Sequence, residues 1–230
     1  MPPDAHLRPR DASALKPPRF PILPFDEWQI SFARGSVFNL ERLMPGESLV
    51  SILWKFGCAN ALPGHALLHL ISPEADPREG VAPMWDVIDL TRLRHVLRLP
   101  SDVLRTSLLS AAPHDRYHEA FRYCRQCAAH GYHSVLYQRE DEDRCPAHHQ
   151  SLQTRCPHCS SETPYIVSAD LIGAPFRCVW CHSHYSYGRL SLPSTTPAMR
   201  RQDRIAISRR LRLRSGNDIA TRVLPMVTSA

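Results

Sequence analysis

Apolar residues in the first half of the chain recur at the spacing of short amphipathic helices, which proline and glycine interrupt. The first stripe, with spacing i, i+3, i+4 and i+7, consists of Leu49, Ile52, Leu53 and Phe56. This stripe predicts a helix that opens at residues 45–48 and ends before the Pro63-Gly64 turn. Such a helix buries one face against a neighbouring element.

Three further helices are predicted in the same half of the chain. The pattern places them over residues 65–71, 89–97 and 102–109, with Ser101 as the N-cap of the last. We therefore expect residues 45–115 to form a helical, helix-turn-helix-like domain. The same periodicity is more often that of packed helix pairs that bind no DNA, so the pattern alone does not show that one of these helices enters a DNA groove.

Composition limits the class of protein. The chain has 230 residues, 43% of them hydrophobic, which is enough for an ordinary core in one or two small domains. No run approaches the roughly 18–20 apolar residues of a spanning helix, and no apolar run follows the charges near the N-terminus as in a secretory signal. We therefore expect a cytoplasmic protein without a membrane partner, in which clustered cysteines favour metal over disulfides.

Positive charge is concentrated towards the C-terminus. The formal net charge of the chain is +6, and residues 189–230 alone contain nine arginines against two aspartates. Such a segment is typical of a chain that binds a polyanion, and it is equally typical of a solvated tail.

Residues 124–181 contain four pairs of metal-ligand residues, each with two residues between its members. One pair offers two ligands to an ion, and two pairs complete the tetrahedron that zinc prefers. The predicted ligands of the first ion are Cys124, Cys127, Cys145 and His148. Those of the second ion are Cys156, Cys159, Cys178 and Cys181. Because each set supplies four protein ligands, we expect two structural zinc ions.

Some details of this segment stay open at the level of sequence. The pairs can combine in chain order or crosswise, and combination in chain order closes the shorter loops. His149 and His158 adjoin ligands and are alternatives to them, although His148 keeps the two-residue spacing. The stretches that join the pairs within each set suit short β-hairpins, with strands predicted over residues 133–138 and 165–168.

These patterns divide the chain into four segments. A proline-rich, extended lead-in over residues 1–44 precedes the helical domain over residues 45–115. Tandem zinc ribbons are predicted over residues 116–188, and a flexible, arginine-rich tail over residues 189–230. The predicted fold class is therefore mainly α with small β. The eighth cysteine, Cys58, is predicted to be a small core residue of the first helix.

The sequence favours a protein that is not an enzyme. It contains no glycine-rich phosphate loop, and metal sites with four protein ligands leave no open position for a substrate. The acidic run Glu140–Asp143 is predicted to be a solvated loop rather than a carboxylate cluster.

Two stretches together carry a family resemblance. The first is Glu47-Ser48-Leu49-x-Ser51-x-Leu53-x-Lys55. The second contains Tyr123-Cys124-x2-Cys127, Tyr137-Gln138, Cys145-Pro146-x-His148, Leu152, Cys156-Pro157-x-Cys159 and Cys178-x2-Cys181. In order and spacing they resemble the TniQ family, the target-selection proteins of Tn7-like transposons. The resemblance covers about residues 45–188. Its departures are Ile52, Lys55 and Arg125, where the family usually has Trp, Arg and Pro, and none removes a metal ligand.

The resemblance implies a target-selection adaptor in the bacterial cytosol or nucleoid. Such proteins contact double-stranded DNA or a DNA-recognition complex and help to recruit a AAA+ ATPase transposition regulator. Members that read DNA sequence carry large additional C-terminal domains, so the adaptor role is favoured here. The alternative is a zinc-ribbon nucleic-acid-binding regulator unconnected with transposition, and homo-oligomerisation stays open.

The candidate nucleic-acid contacts are positive residues of the helical domain and of the tail. In the helical domain they are Lys55, Arg92, Arg94 and Arg98. In the tail they are Arg200, Arg201, Arg209, Arg210, Arg212 and Arg214. Such residues attract phosphates irrespective of base sequence.

Overall fold

The computed structural model of the chain describes residues 43–112, 115–187 and 199–221, with side chains up to residue 214 in the last range. All of these residues belong to one compact unit. The predicted lead-in lies outside them except for its last two residues. Within the described ranges, no helix has both the length and the apolar character needed to cross a membrane.

Four helices form the N-terminal part of this unit: α1 (Leu49–Asn60), α2 (Gly64–Ile71), α3 (Leu90–Leu97) and α4 (Ser101–Ser107). Each lies within two residues of its predicted bounds, so these predictions are confirmed. The predicted N-cap at Ser101 is wrong, because α4 begins one residue earlier and Pro100 holds the cap position without a side-chain hydrogen bond. The helix also ends early, since Leu109 turns away to pair its backbone with Pro83 and Trp85.

Buried polar residues at the start of α1 attach this helix to the cysteine-rich segment. The Ser48 hydroxyl accepts the Ser51 N–H at 3.2 Å and caps the helix, and it lies 2.7 Å from Nδ1 of His133. The Glu47 carboxylate accepts the Ser51 hydroxyl at 2.6 Å and pairs with the Lys55 ammonium at 2.5 Å. The polar positions of the first motif therefore begin α1 and dock it.

The cysteine-rich segment contains short helices where hairpins are predicted. Its helices are α5 (Arg125–Ala129), a 3-10 helix (Val135–Gln138) and α6 (Ala169–Gly173). The predicted strand over residues 133–138 is wrong, because residues 135–138 form the 3-10 helix, whose first turn the Ser134 hydroxyl caps by accepting the Leu136 N–H. In the described ranges, β structure consists of isolated bridges, such as that between Val81 and Val167 in the second predicted strand. The fold is mainly helical with little β structure.

One hydrophobic core joins the helices to the cysteine-rich segment. The indole N–H of Trp54 in α1 donates to the Leu171 carbonyl in α6 at 2.7 Å, and the Trp54 ring lies 4.6 Å from that of Phe176. Gly64 opens α2 directly against α6, where a Cβ atom would clash with the Ala169 carbonyl oxygen. The core is therefore continuous across the predicted boundary near residue 115.

The prediction of a flexible tail is wrong for its described part. Residues 201–221 form a long helix, α7 (Arg201–Thr221), and residues 199–214 pack on the first cysteine pairs. A narrow stripe at four-residue spacing faces the protein: Met199, Asp203, Ile207 and Leu211. This stripe escapes notice in the sequence because arginines surround it. Residues 188–198 and 222–230 of the predicted tail lie outside the described residues.

Candidate metal centres

Three of the four ligand pairs are held by the same backbone turn. In the first of these, the Cys145 N–H donates to the Gln150 carbonyl at 2.9 Å, and the His149 N–H donates to the Cys145 carbonyl at 2.8 Å. The turns that begin at Cys156 and Cys178 repeat both hydrogen bonds. The fifth residue of each turn has a φ between 54° and 59°: His149, Ser160 and His182. The remaining pair, Cys124 and Cys127, instead lies at the start of α5.

The first four predicted ligands converge in a buried cluster. The Sγ atoms of Cys127 and Cys145 are 3.6 Å apart, and Nδ1 of His148 lies 3.2–3.6 Å from the three sulfur atoms. A tetrahedral zinc ion with sulfur at about 2.3 Å and nitrogen at about 2.0 Å has S–S edges of about 3.8 Å and S–N edges of about 3.5 Å. The donor atoms therefore fit one tetrahedral ion.

The second four predicted ligands form a more open cluster. The Sγ atoms of Cys156 and Cys181, and likewise those of Cys159 and Cys178, are 3.6 Å apart. Cys156 and Cys178 are buried, whereas Cys159 is exposed. All four sulfur atoms lie within 4.8 Å of one another, so this cluster could also hold a tetrahedral ion.

The structure resolves the alternatives that the sequence leaves open. The pairs combine in chain order, and neither His149 nor His158 belongs to either of these two clusters. Sulfur separations of 3.6 Å are far above the S–S bond length of a disulfide, roughly 2 Å, and all of these cysteines are free. The prediction that Cys58 is a core residue is wrong, because it lies in the last turn of α1 and is exposed.

Hydrogen bonds from neighbouring residues orient the first cluster. The Tyr137 hydroxyl donates to Sγ of Cys127 at 2.8 Å and lies 3.3 Å from Sγ of Cys145. The 3-10 helix that carries Tyr137 begins at the Ser134 cap, where the Ser134 hydroxyl accepts the Leu136 N–H. Cysteine sulfur atoms bind a metal as thiolates, which are stabilised by hydrogen-bond donors. The buried Tyr137 hydroxyl is such a donor in the first cluster.

His148 lies between the sulfur atoms and α7. Its Nδ1 faces the cysteines, while its Nε2 lies 3.8 Å from Oδ2 of Asp203. Hydrogen bonds with Cys124 and Cys145 raise the pKa of His148 to about 10. The cluster thus favours a positive charge at this point, which a bound cation would supply in place of the proton.

Serine residues have a corresponding role in the second cluster. Hydrogen bonds from the hydroxyl and N–H of Ser161 lower the pKa of the Cys159 thiol to about 6. Ser183 lowers the pKa of Cys181 in the same way, whereas burial raises that of Cys178 to about 12. Two of the four sulfur atoms therefore favour the thiolate that a metal requires.

The candidate nucleic-acid contacts on the helical part differ in accessibility. Lys55 is 15% exposed in its side chain and is paired with Glu47. Arg92 is half-buried and donates to the Leu70 carbonyl at 2.6 Å. Arg94 and Arg98, at the end of α3, are exposed. Of these four candidates, Arg94 and Arg98 are therefore the ones whose positive charge is accessible to a nucleic acid.

The candidate contacts on α7 fall on two faces. Arg210 donates to Glu142 at 2.6 Å, and Arg214 pairs with Asp141. The prediction that the acidic run is a solvated loop is therefore wrong for Glu142, which is buried, whereas Asp141 is exposed as predicted. The other four candidates on this segment are exposed: Arg200, Arg201, Arg209 and Arg212.

Asp203 is the site residue that sequence reasoning misses. It stands far beyond His148 along the chain, in an arginine-rich segment, and no local spacing relates the two. The signal that could have found it is the four-residue spacing that it shares with Ile207 and Leu211.

No protein-family model matches the chain, and no curated protein matches it significantly.

Proposed function

We propose that the chain is a zinc-binding, non-enzymatic adaptor for target selection in a Tn7-like transposition system, acting in the bacterial cytosol or nucleoid. Its partners are double-stranded DNA or a DNA-recognition complex, and a AAA+ ATPase transposition regulator. Zinc is favoured as the metal because tetrahedral sets of thiolates with one or no imidazole suit its preferences. Both sets leave no open position for a substrate, which supports structural zinc rather than catalysis.

The observation that carries the nucleic-acid part of the proposal is the position of α7. Its inner face is fixed by Asp203, Ile207 and Arg210, while Arg201, Arg209 and Arg212 point away from these contacts and are exposed. A helix fixed in this way presents its positive charges at defined spacing. Charges held at defined spacing attract a phosphate backbone with less loss of conformational entropy than charges on a flexible tail.

The transposition part of the proposal depends on the family resemblance. Its two motifs meet in one core, because the Ser48 hydroxyl of the first contacts His133 inside the second. In addition, α1 and α2 are joined by three residues, as are α3 and α4. Turns of that length are typical of helix-turn-helix units. These observations support a single functional unit in which Arg94 and Arg98 add positive charge.

The alternative is a nucleic-acid-binding regulator outside any transposon. The metal clusters and the exposed arginines favour this alternative, because both are features of the structure that do not depend on the family resemblance. The two functions differ in one partner, since only the adaptor should capture the AAA+ ATPase of a transposon.

The proposal is tested with the purified full chain. We expect two zinc ions per chain, binding to random-sequence double-stranded DNA that weakens steeply with salt, and capture of the AAA+ protein encoded beside the gene. The double variant R201A/R212A should reduce the slope of log Kd against log salt by about 1–2, because each phosphate contact contributes roughly 0.9.

The matched control is R78A/R155A, which removes the same charge from two exposed arginines outside α7. It should bind DNA as the unmodified chain does, apart from a small general charge effect. Equal losses in both double variants would contradict a specific role of α7. DNA binding without capture of the ATPase would favour the alternative regulator.

A further inference from the structure

α7 packs directly on the first metal cluster. Ile207 of α7 and Met199, two residues before the helix begins, belong to the same buried core as Cys124, Cys127 and Cys145. Further along the helix, Leu211 packs on this core and on Gly46, which precedes α1. The helix therefore covers the side of the first cluster that His148 occupies.

Polar contacts of Asp203, Arg210 and Arg214 accompany this packing, and each joins α7 to the loop that carries Cys145 and His148. Asp203 faces His148 at 3.8 Å, Arg210 binds Glu142 at 2.6 Å, and Arg214 pairs with Asp141. The carboxylate of Asp203 and that of Glu142 are both buried. Buried carboxylates need such partners, so the helix and the loop depend on each other for their polar contacts.

We propose that Asp203 is a positioning residue for the first metal centre, and that metal binding there and docking of α7 stabilise each other. The inference rests on the proposed metal binding at the first cluster. When Nδ1 of His148 binds a metal ion, the neutral imidazole carries its proton on Nε2, the atom that faces Asp203. At 3.8 Å the carboxylate acts through its charge, which favours this tautomer and ring orientation.

The coupling is reciprocal by linkage. A metal ion that binds better when α7 is docked must favour docking by the same factor. Occupancy of the first site therefore controls how firmly the arginine face of α7 is presented. The second cluster serves as an internal reference, because in the described part of the chain Ile207 and Leu211 of α7 pack in the core that contains cysteines of the first cluster, and this core contains no cysteine of the second.

The test uses the full chain with cobalt(II) as the probe, because a site with three sulfurs and one nitrogen absorbs differently from one with four sulfurs. We expect D203N to weaken cobalt and zinc binding at the first site about 10–100-fold and to leave the second site unchanged. I207A loosens the helix without altering charge and should weaken the same site. D203E should restore part of the affinity, and R204A, which removes an exposed arginine of α7, is the control.

Hydrogen exchange of the backbone over residues 199–214 gives the reciprocal measurement. In the zinc-loaded protein, exchange there should be faster in D203N than in R204A. If D203N and I207A both bind metal at the first site as tightly as the unmodified chain does, the inference is overturned, whereas the proposed metal binding is not. An unmodified chain that binds no ion at the first cluster would overturn the proposed metal binding, and the inference with it.

Discussion

Lowering the pH from about 7 to about 5 should destabilise the fold through His133. This residue is 1% exposed, its Nε2 donates to the Arg122 carbonyl at 2.7 Å, and its Nδ1 accepts the Ser48 hydroxyl. Both ring nitrogens are therefore used by a neutral imidazole, and a second proton on Nδ1 would force the Ser48 hydroxyl to turn its hydrogen away and accept instead. Burial lowers the pKa of His133 from 6.5 to about 4.

The sign and the size of the effect follow from proton linkage. Between pH 6.5 and about pH 4 the unfolded chain binds a proton at His133 that the folded chain does not, so the free energy of unfolding falls as the pH falls. With these two pKa values, the loss between about pH 7 and about pH 5 is about 2 kcal/mol. Above that range this residue should contribute almost no pH dependence.

The assay is denaturant unfolding of the zinc-loaded chain at a series of pH values, compared with H133Q. The variant keeps every metal ligand, so acid release of metal affects both proteins and largely cancels in the comparison. H133Q should be less stable at neutral pH but should lack the additional loss on acidification. H65Q removes an exposed histidine and is the control. Parallel pH profiles for the unmodified chain and H133Q would refute the reasoning.

Three further substitutions test other contacts of the structure. Y137F removes the hydroxyl that donates to Sγ of Cys127 and should weaken zinc at the first site about 10-fold or more, measured by chelator competition with the second site as reference. G64A places a methyl group against the Ala169 carbonyl between α2 and α6 and should cost about 1–3 kcal/mol or more in denaturant unfolding; an unchanged midpoint would contradict this close packing. C58S should leave two zinc ions per chain by elemental analysis, whereas loss of one would show that Cys58 is a ligand.

The local features of the fold could be predicted from the sequence because short spacings determine them. The stripe from Leu49 to Phe56 fixes α1, and two residues between ligands fix the turns at Cys156 and Cys178. Each of these features depends on residues that are close neighbours along the chain. The shorter loops also favoured the observed combination of ligand pairs.

The features that sequence reasoning missed depend on contacts between distant residues. Asp203 and His148 belong to different segments of the chain, and so do Arg210 and Glu142. Nothing near Glu142 indicates that an arginine helix will bury it. The 3-10 helix was missed for a related reason, since β-branched and aromatic residues around Tyr137 favour a strand, whereas Ser134 is held by the distant residues Gly46 and Glu47.

Native mass spectrometry of the full chain, purified without added metal, tests the central claim most directly. The account predicts two zinc ions per chain, and it predicts that substitution of Cys124 or of Cys178 removes one ion each. One zinc ion or none in the folded, undamaged chain would contradict it, as would loss of both ions on either substitution.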